Sequence, residues 1–67
     1  MSRRPRTIIE ILGRDPDDWP VLTPQDGHLF EQQLDAAQED DLVDGVDLQG
    51  RRFFLHKQDV ERVSHWE

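Results

Sequence analysis

Between Asp15 and Asp47 the chain carries eleven carboxylates and not one lysine or arginine: Asp15, Asp17, Asp18, Asp26, Glu31, Asp35, Glu39, Asp40, Asp41, Asp44 and Asp47. Like charges held close in a compact state repel, so any fold must leave these side chains in water or bring cations to them from elsewhere. The two ends of the chain have the cations. Residues 1–14 hold Arg3, Arg4, Arg6 and Arg14 against Glu10 alone, and residues 48–67 hold Arg51, Arg52, Lys57 and Arg62 against Asp59, Glu61 and Glu67. The formal net charge of -7 is therefore concentrated in the middle of the chain.

A chain of 67 residues, 34% of them hydrophobic, fits one small domain with a marginal core. Domains of this size usually add a staple, but the absence of cysteine excludes a disulfide framework and any zinc ribbon or finger. It is compatible with a reducing compartment, and the cytoplasm is the expected location. No apolar run approaches the roughly 18 residues of a membrane span, and the weakly apolar stretch after Arg6 is too short for a signal peptide. No membrane partner is expected. The acidic balance also argues against direct binding to nucleic acid, which requires a basic surface.

Local patterns give an element order. Residues 1–6 read as a flexible basic arm, with Pro5 discouraging helix at Arg4. Thr7-Ile8-Ile9-Glu10 matches a capping box, and Ile8, Ile9, Ile11 and Leu12 run on to Gly13, which predicts a short helix over 7–12. A strand is the alternative, since the run is brief and β-branched. Arg14 to Pro20 is a turn, with Asp15 and Pro16 able to open one helical turn and Trp19 folding back onto the core. Thr23-Pro24 starts a helix expected over 24–38, with Leu29, Phe30, Gln33, Leu34, Ala36 and Ala37 on one arc and Glu31, Asp35 and Glu39 on the other. From Leu42 the period becomes two, predicting a hairpin that turns at Gln49-Gly50, with Gly45 marking a bulge or bend. Lys57-Gln58-Asp59 is a second turn, and residues 60–66 form a third strand or a short helical ending. The expected fold class is α+β: two short N-terminal helices packed on a three-stranded antiparallel β-meander, with residues 7–67 as a single domain.

The chain is thinly supplied for catalysis. Cys and Tyr are absent, the serines lie near the ends, and the four glycines are isolated, so no phosphate loop is present. His56, Asp59 and His65 would come together if the second and third strands paired, but histidines on strands of small domains are ordinarily structural. No enzyme activity, cofactor or metal is assigned.

The acidic stretch has two readings: a solvated face partly neutralised by the arginine-bearing ends, or a surface built to occupy a site made for nucleic acid. Local energetics favour asking about the second. Each like-charge pair at i,i+4 on a helix costs roughly 0.2–0.5 kcal/mol, and the Glu31, Asp35, Glu39 stripe would contain two. Glu39, Asp40 and Asp41 also crowd the negative end of the helix dipole.

In its length, acidity, lack of cysteine and minimal α/β layout, with the charge pattern of residues 15–47, the chain resembles the small acidic inhibitors of phages and mobile elements, anti-CRISPR proteins and other DNA mimics in particular. The resemblance is of type and rests on no motif. It implies a stoichiometric inhibitor whose carboxylates occupy a basic nucleic-acid-binding surface of a partner protein, such as a CRISPR-Cas subunit in the target-recognition surface of a type I surveillance complex. Asp17, Asp18, Glu31, Asp35, Glu39, Asp40, Asp41, Asp44 and Asp47 are the expected partner-binding residues. The alternative is a protein-interaction or regulatory module docking through Phe54, Trp66 and an exposed sheet edge. A third reading is a DNA-binding regulator using the arm and hairpin arginines. Homodimerisation stays open, because a marginal core gains from shared apolar area.

Overall fold

The computed structural model describes residues 4–67. Strand β1 (Arg6–Ile11) is followed by a 3-10 helix (Pro16–Asp18), strand β2 (Val21–Leu22), helix α1 (Pro24–Ala36), strands β3 (Leu42–Val46) and β4 (Arg52–His56), a second 3-10 helix (Lys57–Asp59) and strand β5 (Val60–Trp66). The strands form two sheets, one in the order β2-β1-β5 and one hairpin of β3 and β4, all antiparallel.

Two expectations are thereby corrected: the described residues contain one α-helix rather than two, and their strands do not form a three-stranded meander. Residues 6–11 alternate between half-buried and fully buried, with Thr7, Ile9 and Ile11 inside. The β-branched side chains suit this pleat, and ladders on both sides satisfy the backbone. Thr7 therefore caps no helix; its side chain is buried, and Glu10 reaches across the sheet instead of back along the chain. Arg62 donates to both Glu10 carboxylate oxygens at 3.1 Å, and the Ser64 hydroxyl donates to Oε2. The Ser64 hydrogen bond, then the Arg62 guanidinium, hold the Glu10 carboxyl below its ordinary pKa, and Glu10 in turn raises that of Arg62.

The third strand forms over Val60–Trp66, but it pairs with β1, from Arg6 opposite Trp66 to Ile11 opposite Val60, with one irregularity at Glu10/Ile11. The turn at 57–59 redirects the chain away from β4, and the Leu12 amide bonds the Asp59 carbonyl at 2.9 Å. Of the arm expected over residues 1–6, residues 1–3 lie outside the described residues, and Arg6 opens β1.

Helix α1 begins as its sequence directs. Thr23 accepts from the Asp26 amide at 3.2 Å and Pro24 takes the first position. It seats on β1 through Gly27, where an added Cβ would lie 2.5 Å from Thr7 Cβ and 2.7 Å from its Cγ2. Glycine is what allows this close approach. Phe30, one turn on, is fully buried, with Leu34 packed against the core beyond it. Leu29, expected on the inner arc, is 57% exposed because the seat centres on Gly27 and Phe30.

The hairpin is the two-stranded element the period-two pattern predicts, and its register runs unbroken through Gly45. Gly50, at φ +79°, closes a turn in which the Asp47 carboxylate accepts from the Gln49 and Arg51 amides at 2.9 Å each. Val43 and Leu55 face inward and join Ile9, Ile11, Leu22 and Phe30 to make the core, with Trp19 packed at its border and its indole N-H on the Ile11 carbonyl at 3.2 Å. The Leu48 amide on the Val21 carbonyl, 2.9 Å, joins the hairpin turn to the edge of the first sheet.

Candidate docking surface

The nine carboxylates singled out by sequence do not share one face. Asp17 and Asp18, in the 3-10 helix after β1, line a groove of about 490 Å³ together with Asp47 of the hairpin turn and Arg14. Glu39, Asp40 and Asp41 lie at the other end of the hairpin. There the Glu39, Asp40 and Asp41 carbonyls accept, in order, from the Gln58 amide at 2.9 Å, the His56 Nδ1 position at 3.3 Å and the Lys57 amide at 3.0 Å. The five residues of β3 separate these groups by roughly 17 Å at about 3.4 Å per residue.

Helix α1 ends at Ala36, so the expected helical stripe is cut before Glu39. Continuing the helix would have stacked a third carboxylate over Glu31 and Asp35 at the negative end of the dipole. The chain turns instead, with the Gln38 amide donating to the Asp41 carboxylate at 3.0 Å. The cation missing from the sequence near this helix end arrives from elsewhere: Lys57 Nζ donates to the Ala37 carbonyl at 2.8 Å.

Four of the nine carboxylates thus have partners inside the fold. Glu31 meets His65 Nε2 at 3.1 Å, Asp44 accepts from Arg52 at 3.0 Å, and Asp41 and Asp47 hold turns. Asp17, Asp18, Asp35, Glu39 and Asp40 are exposed, and their side chains have no hydrogen-bond or ion-pair partner among the described residues.

The hairpin presents a different kind of surface beside the Glu39–Asp40 end. Its inner face is core, whereas its outer face carries Leu42, Asp44, Arg52, Phe54 and His56. Leu42 pairs opposite His56 and Asp44 opposite Phe54, so Leu42 and Phe54 are diagonal neighbours, and they are 59% and 61% exposed. Gln33 of α1 closes the free edge of β3: its amide donates to the Asp44 carbonyl at 3.1 Å and accepts from the Asp44 amide at 3.0 Å. A side chain occupies the place of a pairing strand, so this stretch of the edge is covered while the outer face of the hairpin stays open. Trp66, named with Phe54 from sequence, lies instead on β5 in the other sheet, with the Arg6 guanidinium 5.7 Å from its ring centroid.

His56, Asp59 and His65 are not brought together. His56 turns to the Asp40 carbonyl, and the β1–β5 register carries His65 to the far sheet opposite Thr7. There His65 meets two residues of α1: Glu31, expected from sequence as a partner-binding carboxylate, and His28, which sequence reasoning passed over. Their i,i+3 spacing on a helix was the available signal.

Among the described residues no helix is long and apolar enough to cross a membrane. Comparisons with protein-family models, with curated proteins and with solved structures return no match to this chain.

Proposed function

We propose that this chain is a small protein-binding module that docks through the outer face of the β3–β4 hairpin. The observation that carries the reading is the exposed Leu42–Phe54 pair on a face whose neighbours are charged. Scattered exposed apolar residues are ordinary, but two large ones adjacent on a rigid hairpin form an anchor ringed by polar groups. Burying one such side chain in a partner is worth roughly 1.5–3 kcal/mol. Glu39 and Asp40, without side-chain partners among the described residues and beside this face, select a partner with basic groups around an apolar recess, and they raise the encounter rate more than the final affinity. The working location is the cytoplasm, the partner is a protein rather than nucleic acid or membrane, and the module performs no catalysis.

A second reading, an inhibitor of the DNA-mimic type that blocks a basic nucleic-acid-binding surface such as that of a type I CRISPR surveillance complex, is favoured by the five carboxylates without partners. The division of the acidic residues between the two ends of the hairpin supports it less than the apolar anchor supports docking.

The test is affinity capture from extract of the source cells with wild type, Leu42→Lys/Phe54→Lys and Glu39→Lys/Asp40→Lys as baits, each first checked for native circular dichroism. Docking through the hairpin predicts that the apolar double variant loses the captured protein while the charge reversal weakens it and steepens its loss at high salt. Complete loss on charge reversal with full retention by the apolar variant contradicts the docking reading and supports the inhibitor.

A further inference from the structure

We propose that His28, Glu31 and His65 form a binding site for a divalent first-row cation of the zinc class, which staples strand β5 to helix α1. One donor atom from each of the three lies within 4.8 Å of the others. Two imidazoles and a carboxylate are a donor set that zinc accepts, leaving one position open to water. The fit in distance is close. Metal-ligand bonds of roughly 2.0–2.1 Å in a tetrahedron place donors about 3.3 Å apart. His65 Nε2 and Glu31 Oε1 already stand at 3.1 Å. The His28 and His65 rings are stacked, with centroids 5.1 Å apart and planes 20° from parallel, and His28 is exposed, so its ring can rotate inward onto an ion.

The placement follows from the fold. Gly27 presses α1 onto Thr7 and fixes the helix relative to β1, which sets His28 and Glu31 at adjacent positions of one helical turn above the sheet. The ladder then pairs His65 directly opposite Thr7. Thr7 is fully buried, and its Oγ1 lies 3.2 Å from His65 Nδ1. This hydroxyl serves either state of the ring. Without metal, a proton on Nε2 is shared with Glu31 and the Thr7 hydroxyl donates to Nδ1. With metal on Nε2, the proton sits on Nδ1 and is donated to Thr7, the outer hydrogen bond by which ligating histidines are ordinarily oriented. A cysteine-free domain with six buried apolar core residues among those described is one in which a metal cross-link between β5 and α1 has most to contribute.

The test is zinc titration of tag-free protein by calorimetry and thermal unfolding, beside His28→Gln, Thr7→Val and His56→Gln, with magnesium as the hard-ion control. One zinc per chain is expected, with a melting temperature that rises with zinc and not with magnesium. His28→Gln abolishes the shift, Thr7→Val weakens binding by roughly 10- to 100-fold, and His56→Gln leaves it unchanged. Imidazole nitrogen NMR of the wild type provides a readout free of folding defects: zinc moves the His28 and His65 resonances and not those of His56. Equal zinc affinity in wild type and His28→Gln, or zinc shifts confined to His56, overturns the proposal.

Discussion

Replacing Gly27 by alanine separates two opposing effects by sign. Helix propensity alone favours alanine over glycine by roughly 1 kcal/mol at an interior helix position. In this structure, however, the new methyl would stand 2.5 Å from Thr7 Cβ and 2.7 Å from Thr7 Cγ2. Ordinary carbon contacts are about 3.5–4.0 Å, so the separation must grow by about 1 Å. Rotating Thr7 does not help, because its Cβ is itself part of the clash, and Thr7 is fully buried in the central strand of its sheet. The helix has to lift, which loosens Phe30 from the core; overpacking of this kind costs roughly 1–3 kcal/mol. The steric term matches or exceeds the propensity gain, and the net loss is about 0–2 kcal/mol. A chain of 67 residues holds only roughly 3–10 kcal/mol, at roughly 0.05–0.15 kcal/mol per residue. At about 4–8 °C per kcal/mol the melting temperature falls by up to roughly 16 °C. Thermal unfolding followed by circular dichroism, with Gln32→Ala on the exposed side of the same helix as reference, measures it. A melting temperature above wild type, as propensity alone would give, would refute the close seating of α1 on β1.

Other consequences are testable in the same way. Gln33→Leu leaves the Asp44 amide and carbonyl without their helix partner, and lowers stability by about 1–2 kcal/mol while speeding hydrogen exchange at Asp44 selectively. Lys57→Met removes the charge that caps the helix through the Ala37 carbonyl, and costs roughly 0.3–1 kcal/mol, an effect that shrinks when salt is added. Because Ser64 and Arg62 hold the Glu10 carboxyl below its ordinary pKa in the fold, the unfolded chain takes up that proton first as pH falls. The contribution of Glu10 is therefore present above the ordinary carboxylate range and is lost on descending through the folded value. Ser64→Ala reduces this acid-side dependence in a series of urea melts, and leaves stability near neutral pH less altered than removing Arg62 as well.

Features settled within a few residues were legible in the sequence. Thr23-Pro24 marks the helix start, and Gln49-Gly50 between two alternating runs marks the hairpin, whose turn Asp47 completes. Features settled by a distant partner were not. Ile8 to Leu12 satisfies a helical and an extended pattern alike, and what selects the strand is pairing with residues 60–66, about fifty positions away. The same pairing dissolves the meander. Gly27 has weak helix propensity by itself, and nothing nearby in sequence shows that Thr7 needs its space. The excess of carboxylates was plain, but their division between the two ends of the hairpin, and the arrival of Lys57 and Arg52 among them, depend on the tertiary fold. His28 and Glu31 stand three positions apart on a predicted helix, but their meeting with His65 depends on the register of β1 and β5.

Site-specific photocrosslinking tests the docking account most directly. Benzoylphenylalanine is placed at Phe54 and, in a separate protein, at Leu29, which is comparably exposed but lies on the helix. Irradiation in extract of the source cells is predicted to give one discrete protein adduct from position 54, suppressed by excess wild type and not by excess Leu42→Lys/Phe54→Lys protein, and none from position 29. An adduct formed from position 29 alone, or one from position 54 that the apolar double variant suppresses as well as wild type, would contradict docking through the hairpin face.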